Sequence, residues 1–349
     1  MGLNRNDLVQ LGKIAMTANP SAPTAYSFNG SNLTYSAVNE TLREELNALA
    51  STHALYRENK NLIFSIIEEI LDDVLPRTVA ERYVGLATVK TFAQGDKPEF
   101  KRNRTNNRRA KQFITRVGLA GRYEVFKLGK RTESFQVPTS ALGGAAQIGF
   151  EEYLDGRIDM AEVLNIVLEG IDEVIQHEIA LAMENAINQL PQANHTSVDG
   201  WDEAEMDRLV SISAAYGTPV IYCTREFATR MRPTDNIMLT EAMKEKLWND
   251  GWFGNYKGTR VVIMEQSFTD ETNSEKVVNP AHCWIISTNA GGTPIYVAME
   301  GNTLMKEHEN DDWSRDIQVY KKVGVVAMLN NSICHYYDSS LDPKKTAEG

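Results

Sequence analysis

Apolar residues recur at helical spacing in two long stretches of this chain and at strand spacing in several short ones. Residues 1–35 show neither pattern. Asn, Ser, Thr and Ala dominate there, with Pro20, Pro23 and Gly30 as punctuation, so the segment reads as an extended arm with little core of its own. From Ser36 the pattern turns helical. Residues 62–71 (Leu-Ile-Phe-Ser-Ile-Ile-Glu-Glu-Ile-Leu) are apolar enough to be mostly buried, and Pro76 should stop the helix. Short β-type runs follow at 83–92, 112–119, 123–128 and 133–137. They are separated by Gly95-Asp96, by the polar stretch 101–109 and by Gly129, which describes a long antiparallel excursion.

The clearest helix comes next. Met160, Leu164, Val167, Ile171, Ile175, Ile179, Ala182, Ala186 and Leu190 recur at steps of three or four before Pro191. At about 1.5 Å per residue, 158–190 would form a rod of roughly 50 Å. Gly170 in its middle costs about 1 kcal/mol relative to Ala; it is a candidate hinge, with close packing as its alternative use. Residues 201–300 read as a compact α/β unit. It has a helix from Asp202, core strands at 218–223, 261–264 and 283–286, and a short helix capped by Thr224. Residues 313–337 return to β.

Charge sharpens this outline. The formal net charge is −11, which argues against a surface given over to nucleic acid. Residues 76–135 nevertheless carry 15 Lys and Arg against 5 Asp and Glu, whereas 151–190 carry one Arg against ten acids. Adjacent segments of opposite sign invite pairing, within the chain or between copies. Two independently solvated faces are the plainer alternative. The 349 residues contain no apolar run near the ~20 residues a membrane span needs. Cys223, Cys283 and Cys334 are odd in number and widely spaced; they suit reduced, buried thiols in a protein made in a cytoplasm.

Catalytic signatures fail in turn. His177-Glu178 opens like a zinc-protease helix, but the second histidine position holds Leu181. Glu173 and His177 lie one helical turn apart, and no third metal ligand is near in sequence. There is no nucleophile elbow, phosphate loop or dinucleotide fingerprint, and the remaining histidines are scattered singly. Neither catalytic residues nor a cofactor or metal site is assigned. The run Lys101, Arg102, Arg104, Arg108, Arg109 and Lys111 could contact phosphates, but it lacks interleaved aromatic residues for stacking on bases.

The order of these pieces resembles the tailed-bacteriophage major capsid family, whose fold is shared with encapsulins and herpesvirus shell floors. The likeness runs through Phe64-Ser65-Ile66-Ile67-Glu68-Glu69-Ile70, through Phe92-Ala93-Gln94-Gly95-Asp96-Lys97-Pro98-Glu99-Phe100, and through Gly121-Arg122-Tyr123-Glu124-Val125-Phe126 with Phe135-Gln136-Val137-Pro138-Thr139. It continues in Tyr153-Leu154-Asp155-Gly156-Arg157-Ile158-Asp159 and in Trp313-Ser314-Arg315-Asp316-Ile317-Gln318-Val319-Tyr320. The resemblance implies an α+β capsid fold. Its parts would be an N-terminal arm and helix (1–75), an extended β-hairpin loop (76–150), a peripheral domain with a long spine helix (151–200), an axial domain (201–300) and return strands (301–349).

The resemblance further implies a structural protein that assembles with itself as pentamers and hexamers into an icosahedral shell around phage double-stranded DNA. A separate scaffolding protein, a portal, decoration proteins and non-specifically held DNA would be its partners. It would be made in the bacterial host cytoplasm and reside in the virion. The loop would cross a neighbouring copy, pairing Lys101, Arg102, Arg104, Arg108, Arg109 and Lys111 with Glu151, Glu152, Asp155, Glu162, Glu169 and Glu173. An encapsulin-type compartment is the nearest alternative. A nucleic-acid-binding protein or a soluble α/β enzyme is the alternative from another class.

Overall fold

The computed structural model describes residues 4–17, 26–28, 31–103, 132–148, 160–232, 241–270, 272–288, 292–310 and 315–343. Helices and sheets are mixed, an α+β chain. It divides into two compact units. The first comprises Met1–Pro98, Val137–Ile175 and Val297–Val325, and the second Glu99–Gln136, Gln176–Tyr296 and Val326–Gly349.

The core of the first unit is helical. Helix α1 (Arg5–Thr17), α2 (Tyr35–Leu49) and α3 (His53–Arg82) bury Leu8, Leu11, Leu42, Leu46, Ile63, Ile67, Ile70 and Leu71 in one cluster. Here the structure corrects the expectation of an extended arm, because residues 5–17 fold back onto α3 of their own chain. Leu8, Val9, Leu11 and Ala15 form a narrow apolar stripe that the polar composition of the whole segment conceals. Gly12 lets the two helices approach, since a Cβ there would collide with the Ile70 side chain. Residues 18–25 of the expected arm lie outside the described residues.

Pro76 is a second correction, for it sits inside α3 rather than ending it. An interior proline costs about 3 kcal/mol. Burial of Val74, Leu75 and Val79 around it offsets that cost, so packing overrides the local stop signal.

Against α3 lies a four-stranded sheet in the order β3 (Ala87–Phe92), β12 (Ile295–Glu309), β13 (Arg315–Ala327) and β6 (Ser140–Ile148). Strand β12 is far longer than β3, so some of its amides must find acceptors elsewhere. Helix α3 supplies them. The Asp72 carboxylate accepts from Thr303 N (2.8 Å) and Thr303 Oγ1 (2.6 Å), and the Glu68 carboxylate accepts from Met305 N (2.6 Å). Four residues of helix rise about 6 Å and two of strand about 6.7 Å, so the i, i+4 carboxylates match the i, i+2 amides. Lys321, whose side chain is 2 % exposed, completes the cluster by donating to Asp72 (2.6 Å) and to the Gly301 carbonyl (2.9 Å).

The second unit holds a six-stranded sheet in the order β7 (His195–Val198), β14 (Cys334–Asp338), β11 (His282–Ser287), β8 (Pro219–Cys223), β10 (Thr259–Ile263) and β9 (Asn255–Tyr256). Helix α5 (Glu203–Ala214) starts at Asp202, whose carboxylate accepts from Ala204 N and Glu205 N. Helix α6 (Arg225–Arg230) starts at Thr224, whose hydroxyl accepts from Phe227 N. The expected core strands and the Thr224 cap are therefore present, and Asp202 caps the helix expected to begin there. The long helix, α4, is described over Met160–Asn185 and gives way to short 3₁₀ turns before the Leu190 its periodicity suggests; residues 158 and 159 lie outside the described residues.

Four substitutions test the packing of the first unit. Asp72→Ala leaves the Lys321 ammonium buried without its carboxylate and should lower unfolding free energy by roughly 3–5 kcal/mol. Lys321→Met, which removes the charge itself, should cost less; denaturant titration measures both. A Cβ at Gly324 would run into the backbone carbonyl of Pro138, whereas one at Gly144 meets nothing within 4 Å. Gly324→Ala should therefore destabilise by about 1–3 kcal/mol, and Gly144→Ala should change thermal unfolding much less.

Candidate assembly interface

The basic excursion has a defined base. Strands β4 (Glu99–Asn103) and β5 (Thr132–Gln136) pair antiparallel, with Phe100 opposite Phe135 and Asn103 opposite Thr132. This ribbon is anchored within the second unit by aromatic packing. The Phe100 ring is 5.3 Å from that of Tyr296 and the Phe135 ring 4.9 Å, both edge-on. The intervening residues 104–131 lie outside the described residues, and with them Arg104, Arg108, Arg109 and Lys111. Of the basic residues at the base, Lys101 is exposed, while Arg102 donates to the Met328 carbonyl (3.0 Å) within its own unit.

Among the acidic candidates, Glu169 and Glu173 are exposed on α4, one turn apart and flanked by exposed Ile166 and Val174. The same helix turns Asp172 inward, where its carboxylate pairs with Arg82. Glu151, Glu152 and Asp155 lie outside the described residues, as does the side chain of Glu162. Gly170 is exposed, and a Cβ there would meet nothing within 4 Å. Among the described residues of the chain, close packing does not account for a glycine at this position.

One exposed aromatic side chain was missed by periodicity. Trp248, on helix α7 (Glu241–Asp250), is 90 % exposed. A tryptophan left this open on a folded unit is the kind of side chain that interfaces bury. Sequence could have found it as an indole inside a short, strongly charged helix.

The histidines read as isolated in sequence are partly brought together by sheet register. Strand β14 runs between β7 and β11, setting His335 opposite both His195 and Trp284. His195 Nδ1 lies 3.0 Å from His335 Nδ1, and His335 Nε2 lies 2.8 Å from His282 Nδ1. Glu184 on α4 stands 3.7 Å from His282 Nε2, and the Tyr337 ring is 5.1 Å from that of His282. A neutral imidazole has one N–H and one lone pair, so His335 satisfies both bonds uncharged. Burial holds its pKa well below the usual histidine range, and the two neighbouring histidines push it the same way; burial also lowers that of His195. Among the described residues no group of three or more His, Cys, Asp or Glu has metal-binding geometry, and no helix is long and apolar enough to cross a membrane.

The chain matches the family model described as "SPbeta prophage-derived putative capsid protein YonB" over residues 10–335. Among curated proteins no sequence matches it. Solved structures that resemble it include the mature capsid of bacteriophage PhiM1, at 8% identity over 74% of this chain and 86% of that one, with a TM-score of 0.47. A phage-related protein from Bordetella bronchiseptica RB50 shares 15% identity over 75% and 94% of the two chains, with a TM-score of 0.46. The SrpI encapsulin of Synechococcus elongatus PCC 7942 shares 10% identity over 77% and 88%, with a TM-score of 0.43. These likenesses are distant in both sequence and geometry; the family assignment stands on the sequence match.

The histidine chain carries a pH prediction. Because the folded state keeps His335 neutral, only the unfolded chain takes up its proton as pH falls through about 6.5. The stability present above that pH should therefore decline below it, approaching about 1.4 kcal/mol per pH unit from His335 alone. Urea unfolding between pH 7.5 and 5.5 measures the slope, and His335→Gln should flatten it.

Proposed function

The chain belongs to the YonB capsid-protein family, and from that premise we propose that it closes, as pentamers and hexamers, into the icosahedral head of a tailed phage. Its role is structural. The single observation carrying this reading is the family match across residues 10–335, nearly the whole folded chain. The packed β4–β5 base from which the basic stretch departs supports it.

In the proposed assembly, residues 104–131 cross a neighbouring subunit and lay Arg104, Arg108, Arg109 and Lys111 against its acidic helix α4. Glu169 and Glu173 would receive them, with Glu151, Glu152, Asp155 and Glu162 along the same acidic stretch. Charged contacts of this kind set register and reject wrong pairings more than they add affinity. Apolar groups such as Ile166, Val174 and Trp248 would supply buried area. Many modest contacts per subunit, multiplied by closure of the shell, make the sum hard to reverse. A separate scaffolding protein, a portal and non-specifically held double-stranded DNA complete the proposed set of partners, with assembly in the host cytoplasm. Gly170 remains the proposed hinge of the helix.

Negative-stain microscopy of the expressed protein, alone and with its scaffold, tests the shell. Closed particles or isolated pentamers and hexamers are expected, and a persistent monomer would overturn the reading. Particles that hold protein cargo instead of DNA would move it to the compartment alternative. Arg108→Glu with Arg109→Glu should abolish shells at least tenfold in yield without unfolding the subunit, as should Glu169→Lys with Glu173→Lys. Mixing the two double variants should restore part of the yield, because opposite charges then face each other again.

A further inference from the structure

Sheet register in the second unit sets Cys223 of β8 directly opposite Cys283 of β11, and both thiols are fully buried. Three backbone bonds reveal what kind of antiparallel pair this is. Cys223 O accepts from Met264 N (2.8 Å), so the main chain of Cys223 points toward β10 and away from β11. Thr288 N donates to Thr218 O (3.0 Å), which makes 288/218, 286/220 and 284/222 the bonded pairs and leaves 283/223 between them. Asp338 N donates to Ala281 O (2.9 Å), so by the same alternation Cys283 bonds to Tyr336 on the other side. Pro219 agrees, because it occupies a pair in which its missing N–H is not needed. Cys223 and Cys283 therefore form a non-hydrogen-bonded pair, with Cα atoms about 4.5 Å apart and side chains at their closest.

We infer that Cys223 and Cys283 are a disulfide-competent pair that closes when the folded protein meets a disulfide oxidant. A separation of about 4.5 Å lies within the range a disulfide spans, roughly 4.4–6.8 Å. Cys334 shares the same face of the sheet but stands opposite Ile285, diagonal to Cys283 at about 7–8 Å, outside that range. One pair is thus selected from three thiols. Two S–H bonds break and one S–S bond forms, and the two protons end on the sulfurs of the reduced oxidant. The two electrons pass to the oxidant, whose own disulfide is reduced to two thiols. Burial and the adjacent Cys223 thiol push the Cys283 thiol well above its ordinary pKa. Reaction consequently requires local opening of the sheet, and the pair stays reduced in a reducing compartment. Once formed, the bond ties β8 to β11 and restrains the unfolded chain between them. Its use to lock a shell after release from the cell rests on the proposed function; the thiol chemistry does not.

The full-length protein, freshly reduced, is incubated with oxidised glutathione at rising temperatures up to just below melting. It is then unfolded in denaturant with an alkylating reagent and analysed by mass. The expected result is a fall from three alkylated cysteines to one, Cys334, with a cross-linked peptide containing Cys223 and Cys283. Oxidised protein should melt several degrees above reduced protein, and Cys223→Ala should abolish both changes. Three alkylated thiols at every temperature, glutathione adducts without a bridge, or a bridge through Cys334 would overturn the inference. Mass mapping of the unmutated protein decides this even if the variant misfolds, and it does so whether or not shells form.

Discussion

A strand that outruns its neighbours must satisfy its amides some other way, and in this protein that constraint organises the first unit. Strand β12 extends well past β3, and α3 answers with Glu68 and Asp72 at the spacing that helix and strand share. The clasp gathers further groups. Lys321 pairs with Asp72, while Tyr56 and Lys60 donate to Glu307 further along the strand. With these amides engaged, fewer free groups remain for a foreign strand to pair with.

In the second unit the equivalent constraint is the pleat. Alternation sends Cys223, Cys283, Cys334 and Tyr336 to one face, beneath Met206, Leu209 and Phe227. It sends His335 and Trp284 to the other, where His195 and His282 join them. One slip of register would exchange the two sets. The apolar face and the imidazole face therefore hold each other in place, and the thiol pair and the histidine chain are both products of that single alignment.

These two units also divide the work proposed for the shell. The segments proposed to carry assembly are the basic stretch, the exposed flank of α4 around Glu169 and Glu173, and Trp248. Arg102, by contrast, is spent on the Met328 carbonyl inside its own unit, so membership of a charged run does not by itself mark a contact residue.

Much of the outline was legible because it depends on local periodicity and punctuation. The strands at β8, β10 and β11, the cap at Thr224, the helix beginning beside Asp202 and the long helix α4 follow from neighbours within a few residues. So does the family likeness, which is an ordering of such pieces. Reading failed where distant packing overruled a local signal. Pro76 remains helical because the residues around it are buried, and the stripe of α1 finds its partner in α3 although its surroundings look like a polar arm. Composition and spacing determined the elements and the separation of charge. Only the tertiary structure decided that three scattered histidines meet, that two of three cysteines face each other, and which charges are already used, because each depends on register between strands far apart in the chain.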